Sequence, residues 1–218
     1  MKVIGLTGGI ATGKSSVASL LREFGAKIVD ADQIAREIVR PGQSAWQGIV
    51  DAFGPQILKA DKTIDRDKLR KIIFKDNEAR RILETITHPQ IRRMAQEKIK
   101  KLASEGAGIT VYEAPLLYEN RVHLWVRPVI LVACDLETQK TRLRERDGLS
   151  VKEIEQHLKA QMPLETKRQL ADIIIENIGD LEDLRKQVKE VWEKITTISH
   201  APGTSPPTGP RGPDRQSE

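Results

Sequence analysis

The amino-terminal residues MKVIGLTGGIATGKSS contain a glycine-rich loop between two segments of regular structure. The apolar run Val3–Leu6 predicts a short buried strand, and apolar side chains at helical spacing predict a helix over Ser15–Phe24, ended by Gly25. Residues Gly8–Ser15 between them match the pattern G-x-x-x-x-G-K-[S/T] of a P-loop. A strand, this loop and a helix in that order predict that the chain binds the phosphate groups of a nucleotide.

The residue types of this loop suit phosphate binding. Glycines permit positive φ angles and let backbone N–H groups approach a phosphate without a Cβ in the way, and the helix N-terminus adds partial positive charge. We expect Lys14 to reach the β- and γ-phosphates of the nucleotide, and the Ser15 hydroxyl to bind Mg²⁺. The predicted nucleotide-binding residues of the loop are Gly8, Gly9, Ile10, Ala11, Thr12, Gly13, Lys14, Ser15 and Ser16.

Further short apolar runs recur along the chain, with helical segments between them. Strands that alternate with helices predict an α/β fold with a parallel sheet. Together with Val3–Leu6, the predicted strands of this sheet are Lys27–Asp30, Ile109–Glu113, Pro128–Cys134 and Ile173–Glu176.

The interval between the second and third predicted strands is too long for a single crossover and reads as helical almost throughout. We therefore expect an inserted helical subdomain there. Its predicted helices are Gln33–Val39, Ala45–Phe53, Arg66–Phe74, Asn77–Ile86 and Pro89–Ala103.

The last twenty residues, 199–218, are rich in proline and glycine and contain no apolar side chain larger than alanine. Such a segment cannot bury enough surface to offset the entropy of ordering it, so the sequence predicts a disordered tail.

Composition narrows the class of protein. The chain has 218 residues, a formal net charge of +5 and one cysteine, Cys134, which excludes an internal disulfide framework and indicates a small buried side chain. No export signal or membrane-spanning apolar stretch is evident, so we expect a cytoplasmic protein. The positive charge favours an anionic ligand, which could be nucleic acid, an acidic membrane surface or a phosphorylated small molecule; charge alone does not choose among them.

A P-loop by itself does not distinguish a kinase from a GTPase or a nucleic-acid motor. The sequence has no N-K-x-D motif for guanine, and its D-x-x-G match, Asp51–Gly54, falls in the helical insertion, where it predicts a helix end. A helicase-type motor would need a larger core. The insertion and the basic segment around Arg142 favour a small kinase that closes over its substrates.

Several further motifs resemble those of the dephospho-CoA kinase family. After the P-loop they are VDAD at Val29–Asp32, THP at Thr87–Pro89, YEAPLLYE at Tyr112–Glu119 and RLRERDGLS at Arg142–Ser150, and the resemblance extends from Met1 to about Trp192. It implies a P-loop kinase with a five-stranded parallel sheet, a helical substrate-binding insertion and a lid. The implied divisions are a core of residues 1–31, 104–135 and 171–198, a CoA-side domain of residues 32–103 and a lid of residues 136–170.

The resemblance also implies a reaction and its partners. The γ-phosphoryl group of ATP, bound with Mg²⁺, would be transferred to the ribose 3′-hydroxyl of dephospho-CoA, and neither nucleic acid nor a membrane is expected as a partner. A sugar hydroxyl is a poor nucleophile at neutral pH, so a carboxylate that accepts its proton is needed. Asp32 follows the second predicted strand, at the edge where such sheets bind ligands, and is our candidate base.

For some of the site residues the sequence allows more than one role. Asp32 could instead cap the helix that begins at Gln33, and Asp30 could lie near the metal or simply end its strand. Arg142 and Arg146 are four residues apart on one helix face and are read as lid arginines that stabilise the transferred phosphoryl group. Ser150 and Glu153 predict a capping box that starts the helix after them.

Four residues are implicated only by the resemblance. His88 and Leu116 are placed near the acceptor, although His88 could equally be a helix-boundary residue. Asn177 is placed near the adenine of ATP, or it ends a strand. Glu113 stands where the family usually has aspartate, and its role is left open.

Overall fold

A computed structural model describes residues 1–197, which form a five-stranded parallel sheet with helices on both faces. The strand order is β2-β3-β1-β4-β5. The predicted fold class and all five predicted strands are confirmed, with the first strand longer than expected. The strands are β1 (Lys2–Gly8), β2 (Lys27–Asp30), β3 (Ile109–Glu113), β4 (Val129–Ala133) and β5 (Ile173–Glu176).

The centre of the sheet is apolar because its strands are covered on both faces. Strands β3 and β4 are buried at every residue, and β1 lies between them. One face packs against helices α1 (Lys14–Glu23) and α9 (Leu181–Thr197). This packing fixes β1 and α1, and therefore fixes the two ends of the loop that joins them.

A continuous helix, α5 (Asn77–Ser104), replaces the two predicted helices Asn77–Ile86 and Pro89–Ala103. Pro89 lies inside it, so the expectation that the helix ends before this proline is wrong. Proline removes one N–H donor and leaves the carbonyl of Thr85 without its usual partner. Packing outweighs that loss, because Ala95 and Ile99 on the same helix are buried in the core on the second face of the sheet.

The remaining helices of the insertion have an apolar cluster of their own. Ile49, Ile57, Ile64 and Leu69 are buried together, and the helix that contains Asp51 ends at Gly54, as predicted. These helices are α2 (Ala31–Glu37), α3 (Ser44–Phe53) and α4 (Arg66–Lys75), and they precede α5.

Three helices lie between β4 and β5, namely α6 (Leu136–Asp147), α7 (Val151–Lys159) and α8 (Leu164–Leu170). The capping box of Ser150 and Glu153 is present at the start of α7, as predicted. Cys134 is buried, also as predicted. Within residues 1–197, no helix is long and apolar enough to cross a membrane. The predicted disordered tail, residues 199–218, lies outside the described residues.

Candidate active site

The glycine-rich loop connects the end of β1 to the start of α1. Two of its residues have left-handed backbone angles, Ala11 at φ 59° and Gly13 at φ 89°. A Cβ built on Gly13 would lie only 2.0 Å from Nδ2 of Asn177, so space and backbone angle both require glycine there. Inside the loop, both the backbone N–H and the hydroxyl of Thr12 donate to the carbonyl of Gly9.

The loop forms one wall of an open cleft of about 850 Å³ at the carboxyl edge of the sheet. Most of the predicted site residues meet in this cleft, including residues distant in sequence. Gly8 does not line it, because it is still part of β1. The predicted residues that line the cleft are Gly9, Ile10, Ala11, Thr12, Gly13, Lys14, Ser15, Ser16, Asp32, Arg142, Arg146 and Asn177.

Lys14 forms an ion pair and hydrogen bond with Glu113, the residue whose role the sequence left open. Glu113 is the last residue of β3, and its side chain is 10% exposed, against 17% for that of Lys14. Because β3 lies directly beside β1, the end of this strand brings a carboxylate under the loop. The charge of Lys14 is thus already neutralised by the protein.

Asp32 and Asp30 have different roles in the structure. The Asp30 carboxylate accepts hydrogen bonds from the backbone N–H groups of Asp32 and Gln33, so Asp30 is the N-cap of α2. The alternative in which Asp32 caps this helix is therefore wrong. Asp32 lies in the first turn of the helix, and its side chain reaches the cleft.

The surroundings of Asp32 change its acidity. Asp32 is exposed to solvent, but the protein walls that enclose the cleft partly desolvate the carboxylate and raise its pKa above the ordinary value. The positive charge of Lys14 opposes this rise, and the negative charge of Asp30 adds to it. A raised pKa makes Asp32 a stronger proton acceptor than a fully hydrated aspartate.

The two predicted lid arginines make different contacts. Arg142 donates to the carbonyls of Ala11, at 3.4 Å, and of Asn177, at 3.1 Å, so it touches the loop directly. Arg146, one turn further along α6, forms two hydrogen bonds with the neighbouring Asp147 and faces the cleft. Asn177 is 7% exposed and donates to the carbonyl of Thr12 at 2.8 Å.

His88 and Leu116 do not line the cleft. His88 lines a separate cavity of about 640 Å³, which Tyr112 and Trp125 also line. Leu116 is 36% exposed and follows Pro115, which does line the cleft. The structure therefore places neither of these two predicted acceptor contacts in the cleft of the glycine-rich loop.

A third cavity, of about 350 Å³, lies among the helices of the insertion. Asp32 lines both this cavity and the cleft of the glycine-rich loop. Arg36 and Arg66 line the third cavity with apolar side chains around them. Asp32 therefore stands where two cavities meet.

The sequence model of the dephospho-CoA kinase family matches residues 2–183. The chain belongs to this family. A dephospho-CoA kinase from Geobacter sulfurreducens is 48% identical over 194 residues, which cover 89% of this chain and 98% of the relative. The resemblance that the sequence motifs indicated is confirmed.

Solved structures agree with the family assignment. A crystal structure from Thermus thermophilus has a TM-score of 0.79 and 34% identity, with 89% of this chain and 97% of that chain covered. A dephospho-CoA kinase from Campylobacter jejuni has a TM-score of 0.68 and 33% identity, with coverages of 91% and 99%.

One buried ion pair beside the site in this member of the dephospho-CoA kinase family was not predicted from the sequence. Lys167 on α8 is fully buried, and its ammonium group donates to the carbonyl of Pro115 at 3.0 Å and pairs with Glu119 at 2.9 Å. Glu119 also accepts from the backbone N–H of Met162. A lysine in the polar segment LETKRQL has no sequence signal of burial, so only the fold identifies it.

Proposed function

We propose that this chain transfers the γ-phosphoryl group of ATP to the ribose 3′-hydroxyl of dephospho-CoA, giving coenzyme A and ADP. The observation that carries the proposal is the position of Asp32, which lines both the cleft of the glycine-rich loop and the cavity among the helices of the insertion. A donor nucleotide in the first and an acceptor in the second would meet at this residue. Membership of the dephospho-CoA kinase family supports this assignment of donor and acceptor.

ATP binds in the cleft, with its phosphates on the loop Gly8–Ser16. Lys14 is paired with Glu113 in the structure, so binding of the ATP phosphates would give this lysine phosphate oxygens as partners in place of a carboxylate. The lysine stays neutralised in both states, which avoids leaving a poorly hydrated charge without a partner. Asn177 contributes by holding the carbonyl of Thr12 in the loop.

Mg²⁺ is the expected metal, and the residues present fit it. The Ser15 hydroxyl and the Asp32 carboxylate both line the cleft, and the Glu113 carboxylate contacts Lys14 beside them. Hydroxyl and carboxylate oxygens are the ligand types that Mg²⁺ prefers, usually with phosphate oxygens and water. Bound with ATP at Ser15, the ion would supply positive charge to the phosphates.

Asp32 is the general base. It accepts the proton of the ribose 3′-hydroxyl as that oxygen attacks the γ-phosphorus atom, and the bond from this phosphorus to the bridging oxygen of ADP breaks. Its raised pKa strengthens proton acceptance, and its place in the first turn of a capped helix fixes its direction.

Arg142 and Arg146 stabilise the charge that develops on the transferred group. Arg146 carries this out most directly, because its present partner is the adjacent, exposed Asp147 and exchange of that partner for phosphate costs little. Arg142 is held by two backbone carbonyls and adds its fixed positive charge at the loop.

The acceptor occupies the side of the cleft that faces the insertion. Arg36 and Arg66 offer positive charge to its diphosphate, and the apolar walls around them suit the rest of the molecule. His88 and Leu116 do not line the cleft, and we propose that they contact the acceptor on the surface next to it. The division into a core, a CoA-side domain of residues 32–103 and a lid of residues 136–170 is proposed on the same basis.

A coupled assay of ADP release tests this function, with dephospho-CoA, AMP, adenosine and shikimate offered as separate acceptors. We expect turnover with dephospho-CoA to exceed that with each of the others by at least a hundredfold. Equal or greater turnover with another acceptor would overturn the assignment of substrate, and ADP release that is independent of any acceptor would overturn the assignment of reaction.

The absence of a nucleic-acid partner and the cytoplasmic location stay predictions. A protein that neutralises many phosphates of a nucleic acid binds it with an affinity that falls steeply as salt increases. Titration of labelled single- and double-stranded DNA and RNA at two salt concentrations would reveal such binding. We expect none at physiological ionic strength.

A further inference from the structure

Three successive carbonyl groups of the glycine-rich loop accept hydrogen bonds from side chains outside the loop. The carbonyl of Ile10 accepts from Nε2 of Gln139 at 2.7 Å. The next two carbonyls, of Ala11 and Thr12, accept from Arg142 at 3.4 Å and from Asn177 at 2.8 Å. The loop is therefore held by donors on α6 and directly after β5, and of these three side chains only that of Gln139 does not line the cleft.

These bonds determine where the N–H groups of the loop point. In a trans peptide the carbonyl and the N–H lie on opposite sides, so a carbonyl fixed at the back directs the next N–H forward. Gln139, which does not line the cleft, holds the carbonyl of Ile10 and thereby directs the N–H of Ala11. Forward is the cleft, where the phosphates bind.

The peptide that Gln139 holds is also the one that needs support. It leads into Ala11, whose left-handed φ of 59° is unfavourable for a residue with a Cβ. Such a conformation persists only where the surroundings fix it. The other polar group of Ile10, its N–H, donates to Oε1 of Gln161 at 3.0 Å. Two glutamines thus fix both ends of one residue.

Gln139 itself has no direct path to the nucleotide. It is 4% exposed and does not line the cleft; it lines a cavity of about 710 Å³ on the opposite side of the loop. Its position in α6, which also carries Arg142 and Arg146, joins the loop to the base of the lid.

We propose that Gln139 is a positioning residue for ATP, which acts through the peptide between Ile10 and Ala11. Its amide keeps that peptide in the orientation that presents the Ala11 N–H to phosphate. The inference rests on the proposed function for its nucleotide, and its test does not depend on the acceptor.

Two substitutions test it. Gln139→Met removes the hydrogen bond at similar volume, and Gln139→Glu places a carboxylate, which accepts but does not donate when ionised, against the carbonyl of Ile10. We expect both variants to bind ATP and ADP about tenfold or more weakly by titration calorimetry, as the loop amide loses its direction. The affinity for AMP, which lacks the phosphates that the loop holds, should stay within about twofold.

Gln56→Glu is the matched control. The amide of Gln56 also donates to a backbone carbonyl, that of Phe53, but in the helical insertion, so its loss should leave nucleotide affinity unchanged. Thermal melting identifies the folded variants, and if Gln139→Glu does not fold, Gln139→Met decides. ATP affinity within twofold of wild type in folded Gln139→Met would overturn the proposal, as would an equal loss for AMP. Because binding is measured without an acceptor, failure of dephospho-CoA as substrate would leave this result separate.

Discussion

Replacement of Asp32 by asparagine separates catalysis from structure. Asparagine keeps the size of the side chain but does not accept the ribose proton, so we expect turnover at saturating substrates to fall. General bases typically contribute about a hundredfold to ten-thousandfold, which corresponds to roughly 3–5 kcal/mol of activation free energy. Binding of ATP and of dephospho-CoA should persist, because the loop and the insertion are unchanged.

The structure predicts a small change in stability for this variant. The N-cap bonds of α2 belong to Asp30 and are retained. Loss of a negative charge in the first helical turn costs about 0.3–1 kcal/mol. Removal of a carboxylate whose pKa is raised in the folded state acts in the opposite direction. The free energy of unfolding should therefore change by less than about 1 kcal/mol at neutral pH.

The raised pKa of Asp32 predicts how the free energy of unfolding and the turnover change with pH. Since the pKa of Asp32 is raised in the folded state, that state binds the proton more tightly than the unfolded chain, and the charge of Asp32 weakens the fold as pH rises through this window. Relative to wild type, Asp32→Asn should gain stability as pH rises from below the usual aspartate range to neutral. Wild-type turnover should rise with pH over a limb centred above that range.

Three measurements complete the test of Asp32. Turnover is followed by ADP release, stability by urea unfolding, and substrate binding by calorimetry. Asp76→Asn is the control, because Asp76 also lies at a helix N-terminus but caps α5 away from the cleft. Turnover within threefold of wild type in Asp32→Asn would refute the role of general base.

Three further predictions concern the cations around the site. Lys14→Ala should abolish most phosphoryl transfer and lower stability by about 1–3 kcal/mol, because it leaves the Glu113 carboxylate without its partner; adding Glu113→Gln should restore stability but not turnover. Arg146→Lys should lower turnover at unchanged melting temperature, since lysine lacks the planar fork that holds two phosphate oxygens. Lys167→Met should lower the free energy of unfolding by about 3–5 kcal/mol, because it leaves the largely buried Glu119 carboxylate without its cation.

Each of these predictions has a contradicting result. Wild-type turnover in Lys14→Ala would remove the lysine from the reaction. Unaltered kinetics in Arg146→Lys would show that Arg146 is a solvated surface residue without a part in phosphoryl transfer. A loss below about 1 kcal/mol in Lys167→Met, measured by urea unfolding with an unchanged m-value, would show that the buried pair is energetically neutral.

The sequence predicted the sheet well because its signals are local. Each strand is a short apolar run bounded by polar or glycine residues, and the P-loop joins a strand to a helix at fixed spacing. The helix boundary at Pro89 was wrong for the opposite reason. Proline disfavours a helix interior locally, whereas the packing of Ala95 and Ile99 against the second face of the sheet favours continuity over a longer range.

Within the candidate site, the sequence predicted mainly the residues whose side chains face the ligand. Lys14, Ser15, Asp32 and Arg146 belong to motifs whose chemistry can be read from residue type, and the structure brings them into one cleft. The contact between Gln139 and the loop could not be predicted in this way. Gln139 is a polar residue in a charged helical segment, and its role exists only because the fold places it behind the carbonyl of Ile10.

The position of the new phosphate tests the central claim most directly. The purified chain is incubated with ATP, Mg²⁺ and dephospho-CoA, and the product is analysed by phosphorus and proton NMR. The account predicts one new phosphomonoester for each ADP formed, coupled to the proton at C3′ of the ribose. A phosphate at the 2′-oxygen or on the pantetheine end, or ADP formed without any phosphomonoester, would contradict it.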